Sequence, residues 1–414
     1  MRFIYTAFVY LYGFAIRLAA PFNAKAKLWI NGRKNIFNTI QKDFEKLSEK
    51  KIIWVHCASL GEFEQGRPVI EKIKSKEPST IIVLTFFSPS GYEVRKNYYG
   101  ANFIYYLPID IFSNAEKFIV LIKPAATFFV KYEFWYNYLY VLKNKNIPTY
   151  LISGVFRENH YFFKWYGKWA RQQLISFTHF YLQNKLSEKL LNTIGYVNTT
   201  VAGDTRFDRV FEISKSVKTI PLIEQFKQSK NILIAGSTWL DDERILSTLD
   251  FKTFNFGLII APHEINEEHI HAIEELFSKS SAGKCLRYSQ TNKKNVTQAT
   301  VLIIDNVGML SSIYQYGTIA YIGGGFGKGI HNILEAATFG LPIIFGPNYQ
   351  KFSEAVELIK LGGAFTISTN KELEDCFSSL TYPEKLSSAS TISRSYISSN
   401  IGATDKILNS ISSK

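Results

Sequence analysis

The chain has 414 residues, 46% of them apolar and 20% charged, enough for two to three domains with a substantial core and too apolar for a disordered chain. Its three cysteines, Cys57, Cys285 and Cys376, exclude a disulfide framework and lack zinc-finger spacing, which suits a reducing compartment. Lys and Arg outnumber Asp and Glu by 48 to 35, a net +13 that points to an anionic partner: nucleic acid, an acidic membrane or a phosphorylated substrate.

The first segment, residues 1–35, reads as a membrane-associating helix. Fourteen uncharged residues, Phe3 to Ile16, separate Arg2 from Arg17. As a helix they reach about 21 Å, short of a hydrocarbon core of roughly 30 Å. A span therefore requires Arg17 to snorkel and the helix to run on to Phe22. Arg17, Lys25, Lys27, Arg33 and Lys34 follow, and residues 1–51 hold +7 of the net charge. The positive-inside rule keeps such a cluster in the cytoplasm. A cleaved signal peptide fits less well, because Arg17 interrupts the small-residue stretch; a core helix with a basic exit is the other alternative.

The rest of the chain alternates strand and helix. Short apolar runs recur at Ile52–Cys57, Thr80–Phe87, Asn102–Leu107, Ala126–Val130, Pro148–Ser153, His179–Gln183 and Thr199–Ala202. A second set lies at Asn231–Ala235, Phe256–Ala261, Thr300–Asp305, Thr318–Ile322, Pro342–Phe345 and Ala364–Ile367. Most are continuously apolar, as parallel strands buried on both faces are. Helical stretches such as Arg67–Lys76 and Asn332–Phe339 separate them, the pattern of α/β units on a parallel sheet. The spacing predicts a first domain over 36–210, a polar, Lys-rich linker over 211–230 containing Pro221, a second domain over 231–385 and a terminal segment over 386–414. Two doubly wound domains with a cleft between them are the simplest architecture.

Four stretches carry chemistry. His56-Cys57-Ala58-Ser59-Leu60-Gly61-Glu62-Phe63 closes the first core strand and opens a helix, at the end of an open α/β sheet that faces ligand. Glu62 is placed there as a general base, or Ser59 and Glu62 form a capping box; the spacing allows both. Val130-Lys131-Tyr132-Glu133-Phe134-Trp135 closes another buried strand, where Lys131 and Glu133 are read as alternating in direction, so that only one of the pair points at a given face; a salt-bridged strand end is the plainer reading. From Arg157 to Arg171, Lys164, Trp165, Lys168 and Trp169 interleave basic and aromatic side chains at helical spacing. That suits membrane headgroups or a phosphorylated lipid, or else a core-facing stripe with a solvated basic edge. No RNA-binding or helix-turn-helix signature supports nucleic acid. Gly323-Gly324-Gly325-Phe326-Gly327-Lys328-Gly329 links a strand to a helix, and backbone N–H groups at such a place bind phosphate, although the spacing matches neither an ATPase loop nor a dinucleotide fingerprint. Five glycines in seven residues point to close backbone approach to a ligand. Glu335 suits ribose hydroxyls or simply a helix first turn. His263, His269 and His271 match no zinc pattern, with His269 and His271 read as helix-surface residues, and nothing in the chain requires a metal or cofactor.

Together these segments resemble the 3-deoxy-D-manno-octulosonic acid (Kdo) transferases of lipopolysaccharide synthesis. The N-terminal aromatic anchor, Ser59-Leu60-Gly61-Glu62, Tyr132-Glu133-Phe134-Trp135, Gly203-Asp204-Thr205-Arg206-Phe207-Asp208, the Gly323–Glu335 loop and Gly346-Pro347 occur in the family's order along nearly the whole chain. The resemblance implies a GT-B fold, two Rossmann-like domains facing across a cleft. It implies inverting transfer of Kdo from CMP-Kdo to a lipid A precursor at the cytoplasmic face of the inner membrane. Glu62 matches the family's catalytic base. Gly324, Gly325, Asn332, Ile333, Leu334 and Glu335 match its CMP-binding segment, and Pro262, His263, Val307, Gly308 and Met309 fall at its further nucleotide contacts. The fold also implies that the terminal segment packs back on the first domain. Four positions depart from the pattern. Lys131 stands where the family has a glutamate that helps to stabilise the transition state, which leaves Glu133 of the pair. Arg206 replaces a lysine, Met309 a nucleotide-contacting glutamate, and His263 an arginine. These departures keep two other readings open: another GT-B transferase using a UDP-sugar and a different anionic lipid, and a membrane-surface binding protein that has lost catalysis.

Overall fold

The computed structural model describes residues 2–45, 47, 50–280 and 283–412, so Met1 and the last two residues of the terminal segment lie outside the described residues. The chain divides into two compact units, Met1–Arg209 with Ile401–Lys414, and Val210–Asn400.

The first unit holds seven strands: β1 (Ile52–Cys57), β2 (Ile81–Phe86), β3 (Phe103–Tyr106), β4 (Ala126–Val130), β5 (Thr149–Gly154), β6 (His179–Leu182) and β7 (Thr199–Val201). They form one parallel sheet in the order β3-β2-β1-β4-β5-β6-β7. Side chains alternate across it. Ile53, Val55 and Cys57 enter one core with Ile82, Leu84 and Phe86, and Trp54 enters the other with Val83 and Phe129. Burial on both faces is why these runs are continuously apolar.

Four helices frame the start of this unit: α1 (Arg2–Ala19), α2 (Ala24–Asn31), α3 (Ile36–Glu45) and α4 (Leu60–Lys76). α1 stops at Ala19 rather than reaching Phe22, because Asn23 caps α2, its side-chain oxygen accepting from Ala26 N at 3.1 Å. Among the described residues no helix is long and apolar enough to cross a membrane. The terminal segment is two helices rather than one. The first, Pro383–Asn400, lies in the second unit, and the other, Ala403–Ser412, in the first. Gly402, at φ +101°, makes the break. Asp208 accepts from Gly402 N at 2.5 Å and Thr404 N at 2.7 Å, and Ile407 and Leu408 join the core of Ile53 and Val69.

The second unit holds β8 (Asn231–Thr238), β9 (Phe256–Pro262), β10 (Cys285–Arg287), β11 (Val301–Ile303), β12 (Ile319–Ile322), β13 (Ile343–Phe345) and β14 (Ala364–Thr366). They form a second parallel sheet, in the order β10-β11-β9-β8-β12-β13-β14. The short edge strand β10 was not among the apolar runs. The Lys-rich segment 211–230 carries the end of the helix Thr205–Lys215 and a second helix, Pro221–Lys227, whose Ile223 and Phe226 are buried.

Candidate active site

A parallel sheet brings all its strand C-termini to one edge. In the first unit that edge collects Glu62 after β1, Lys131 and Glu133 after β4, Arg157 after β5, and Asp204 and Arg206 after β7.

Parallel pairing sets His56 of β1 opposite Thr85 of β2. Trp54 Nε1 donates to Thr85 Oγ1 at 2.8 Å, and His56 Nδ1 lies 2.8 Å from the same oxygen. On the other side of the ring, Trp135 Nε1 donates to His56 Nε2 at 3.0 Å. Nε2 lies 3.2 Å from Glu133 Oε2, which also accepts from Trp135 Nε1 at 2.6 Å. Trp54, Thr85, His56, Glu133 and Trp135 thus form one network, with His56 and Thr85 fully buried. Glu133 is held inside it, between Trp135 and His56.

Glu62 is placed differently. It lies half-buried in the first turn of α4, and its carboxylate accepts from the Ser59 hydroxyl. Ser59 makes no side-chain bond to the α4 backbone, so the capping box is not formed: the two side chains meet each other instead of the helix N–H groups. Burial first, and then Glu62 and Glu133, push the Cys57 thiol well up, so both carboxylates bear on one point of the strand end. Burial raises the Tyr132 phenol, with Arg157 opposing and Glu62 adding to it.

Lys131 does not alternate with Glu133 along a strand. β4 ends at Val130, and Lys131 is left-handed, at φ +69°, with its N–H held by Ile152 O at 2.9 Å. A bulky residue there costs about 1 kcal/mol or more and turns the chain off the sheet. Lys131 Nζ lies 5.3 Å from the Tyr132 ring centroid. Arg206 pairs with the buried Asp204, Nε to Oδ2 at 2.8 Å.

The stretch Arg157–Arg171 is not one helix. It makes two tight turns, Tyr161–Phe163 and Trp165–Gly167, before the helix Lys168–Leu174. A Cβ on Gly167 would meet Tyr161 O at 1.9 Å, so the fold-back depends on that glycine. Arg171 donates to Phe162 O and Lys164 O and ties the turns together, while Trp165 is 91% exposed and Arg157 and Lys168 are exposed. Trp169 faces inward instead, stacked on Tyr136 and 6.1 Å from Tyr5 of α1.

In the second unit Pro262, His263, Val307 and Gly308 line one cavity of about 250 Å³; Met309 is not part of its lining. Asn306 lines it too, with a buried side-chain oxygen that has no partner among the described residues. His263 stacks on Trp239, at 4.7 Å, and on His331, at 4.3 Å, and Trp239 Nε1 donates to His331 Nε2 at 3.2 Å. Burial, reinforced by His263, lowers His331 to about 4, so it is neutral at physiological pH. The glycine loop has an internal reason for its composition. A Cβ on Gly323 would meet Ser237 O at 2.3 Å, and one on Gly325 would meet Gly346 N at 2.6 Å. At these two glycines the close approach is to the protein's own backbone. Buried Asp242 pins the loop, accepting from Gly324 N and Trp239 N at 2.9 Å and from Tyr321 Oη at 2.8 Å. The helix after the loop is short, Leu334–Thr338. Asn332 and buried Ile333 precede it, and Asn332 accepts from Leu334 N and donates to Glu335. His269 is not a plain surface residue: its Nε2 lies 2.9 Å from buried Glu243. Among the described residues no group of three or more His, Cys, Asp or Glu could hold a metal ion.

Residues 33–209 match the model of the family described as 3-deoxy-D-manno-octulosonic-acid transferase (kdotransferase). That stretch of the first unit is a Kdo transferase family domain. The chain is 28% identical over 339 residues to the 3-deoxy-D-manno-octulosonic acid transferase of Haemophilus influenzae, covering 77% of this chain and 76% of that one. It is 24% identical over 373 residues to a bifunctional glycosyltransferase/methyltransferase of Fusobacterium nucleatum, covering 86% of this chain but only 56% of the relative. The chain thus spans little more than half of that relative. Among solved structures, UDP-GlcNAc 2-epimerase from Neisseria meningitidis matches with a TM-score of 0.64 at 17% identity, covering 88% of this chain and 100% of that one. That likeness is one of fold, and it is the GT-B fold, with a Rossmann-like parallel sheet in each unit. The matched family and both of these relatives are glycosyltransferases.

Several residues of the Kdo transferase domain and its companion unit were not singled out by sequence. Thr85, Asp110, Asp242 and Asn306 sit in ordinary-looking strands, helices and loops, and only pairing across the fold shows what they hold. His56 was within a quoted motif, and its position two residues after Trp54, on the same face of β1, was the available signal.

Proposed function

We propose that the chain is an inverting glycosyltransferase that moves Kdo from CMP-Kdo to a lipid A precursor at the cytoplasmic face of the inner membrane. The observation that carries this reading is Glu62: a half-buried carboxylate at a strand end of a Kdo transferase family domain, bonded among the described residues to a hydroxyl alone, beside a second carboxylate held in a buried network. Glu62 takes the proton of the acceptor sugar hydroxyl as that oxygen bonds to the anomeric carbon of Kdo. The bond from that carbon to the CMP phosphate oxygen breaks on the opposite face, and CMP leaves with the electron pair. One base suffices, because the leaving phosphate needs charge stabilisation more than a proton. The unpartnered acceptor of Asn306 suits a pyrimidine N–H, the exocyclic amine of cytosine or the ring N–H of uracil.

A lipid acceptor is supported by α1. Its outward face exposes Phe3, Ile4, Phe8, Leu11, Phe14 and Leu18. Its inner side borders an apolar cavity of about 270 Å³ lined by Tyr5, Val9, Tyr12, Phe87 and Trp135. Exposed Trp165, beside Lys164 and Lys168, suits a headgroup layer. Lys131, His263 and Met309 favour the competing reading of a UDP-sugar donor.

The test is transfer from CMP-Kdo to a tetraacylated lipid A precursor by wild type and Glu62→Gln, with UDP-sugars in parallel. The expected result is product from CMP-Kdo, cut by about 10²–10⁴-fold in the variant. Unchanged rates in Glu62→Gln would overturn the assignment of the base. Product from a UDP-sugar alone would establish the competing donor.

A further inference from the structure

Another cavity of the first unit, about 470 Å³, lies where α1, α2 and α3 meet the segment 108–117. Its lining includes Arg17, Arg33, Lys34 and Lys117, and no Asp or Glu. None of these four cations forms an ion pair among the described residues. Arg33 lies deepest. Its Nε donates to Leu107 O at 2.8 Å, Nη1 to Trp29 O at 3.0 Å and Nη2 to Phe87 O at 2.8 Å. These contacts use three of its five donors, all on neutral carbonyls. The guanidinium lies 3.9 Å from the Trp29 ring centroid, and burial without a carboxylate lowers it to about 9.

Trp29 adds an independent sign. It lines the same cavity, and its buried indole N–H has no partner among the described residues. A buried orphan donor beside uncompensated cations is costly until an acceptor arrives. An anion with several oxygens meets both needs. α1 indicates its source: the helix that lends Gly13 and Arg17 to the cavity exposes the apolar face from Phe3 to Leu18. A phosphodiester headgroup in the cavity would leave its acyl chains on that face.

We infer that this cavity binds the phosphate headgroup of an anionic membrane lipid, at a place separate from the transfer site. The inference rests on reading α1 as facing a membrane.

The full chain is tested against vesicles of phosphatidylcholine alone and with about one quarter phosphatidylglycerol. Lys34→Gln/Lys117→Gln removes two exposed cavity charges and leaves Arg33, which braces the fold, in place. Lys25→Gln/Lys27→Gln removes two exposed charges outside the cavity. Thermal unfolding checks that both variants fold. The expected result is tighter binding to the anionic vesicles, reduced by roughly 25-fold in the cavity pair, about fivefold per cation, and clearly less in the control pair. The Trp29 indole N–H resonance, identified with Trp29→Phe, is expected to move with dihexanoylphosphatidylglycerol in wild type and not in the cavity pair. Equal losses in the two pairs would mean diffuse attraction and overturn the site. A response to chainless glycerophosphoglycerol as strong as to the lipid would make the ligand a free phosphate and overturn the lipid assignment. Equal binding to both vesicles would leave the membrane reading intact and sink the cavity. Binding to neither would sink both.

Discussion

Glu62 and Glu133 have the same chemistry and different freedom. Glu133 is buried between His56 and Trp135; Glu62 has one hydroxyl partner among the described residues, which suits the base of the proposed transfer. Glu62→Gln is expected to leave stability within about 0.5 kcal/mol of wild type while removing transfer. His56→Ala removes a buried partner of Thr85, Glu133 and Trp135 and is expected to cost about 1–3 kcal/mol of stability, with kcat lowered more than KM is raised. Urea unfolding beside transfer kinetics separates the two. Asp110 makes a prediction about pH. Burial pushes its carboxyl from 3.8 up to about 6, against the pull of Tyr5, Asn137 and Tyr138. The folded carboxyl keeps a proton that the unfolded one has released. Stability from this group therefore falls as pH rises from about 4 to 6 and is flat above, a change on the order of 3 kcal/mol. Wild type is expected to gain more in Tm than Asp110→Asn when pH drops from 7 to 5. Equal gains would sink the assignment.

At the scale of elements, α1 is apolar on two sides for two reasons. One side docks: Tyr5 donates to Asp110 at 2.5 Å and packs near Tyr136 and Trp169, and Tyr12 stacks on Phe87. The other side is exposed. Tyr5→Phe removes a bond to a buried carboxyl and is expected to cost about 1.5–3 kcal/mol, read as faster proteolysis between Ala19 and Ala24. Unchanged cleavage would show that the aromatic contacts alone hold the helix. The helical periodicity read into Arg157–Arg171 failed here because Gly167 permits a fold-back that no i, i+4 pattern reveals. The strand β10 was missed for a related reason: three residues at a sheet edge, two of them only partly buried, make no apolar run.

At the scale of the whole molecule, the chain leaves the first unit after Arg209 and returns at Ile401. Ile407 and Leu408 then complete a core begun 350 residues earlier in sequence, around Ile53 and Val55. Truncation after Asn400 is expected to destabilise the first unit by roughly 3–6 kcal/mol, from two buried aliphatic side chains. Hydrogen exchange should quicken in β1 and β2 and stay unchanged in β8 and β9. Faster exchange in β8 and β9 alone would contradict the division of the chain.

The sequence by itself determined the two parallel sheets, because strands buried on both faces must be continuously apolar, and it determined the kinship to Kdo transferases, because six motifs keep their order. It also placed Glu62 at a strand end. Only the tertiary structure decided which carboxylate is free, since that depends on the register that sets His56 beside Thr85 and Glu133. It decided that the loop glycines answer to Ser237 and Gly346, and that four cations scattered from Arg17 to Lys117 share one cavity. Those are distances between residues far apart in the chain, and no local pattern encodes them.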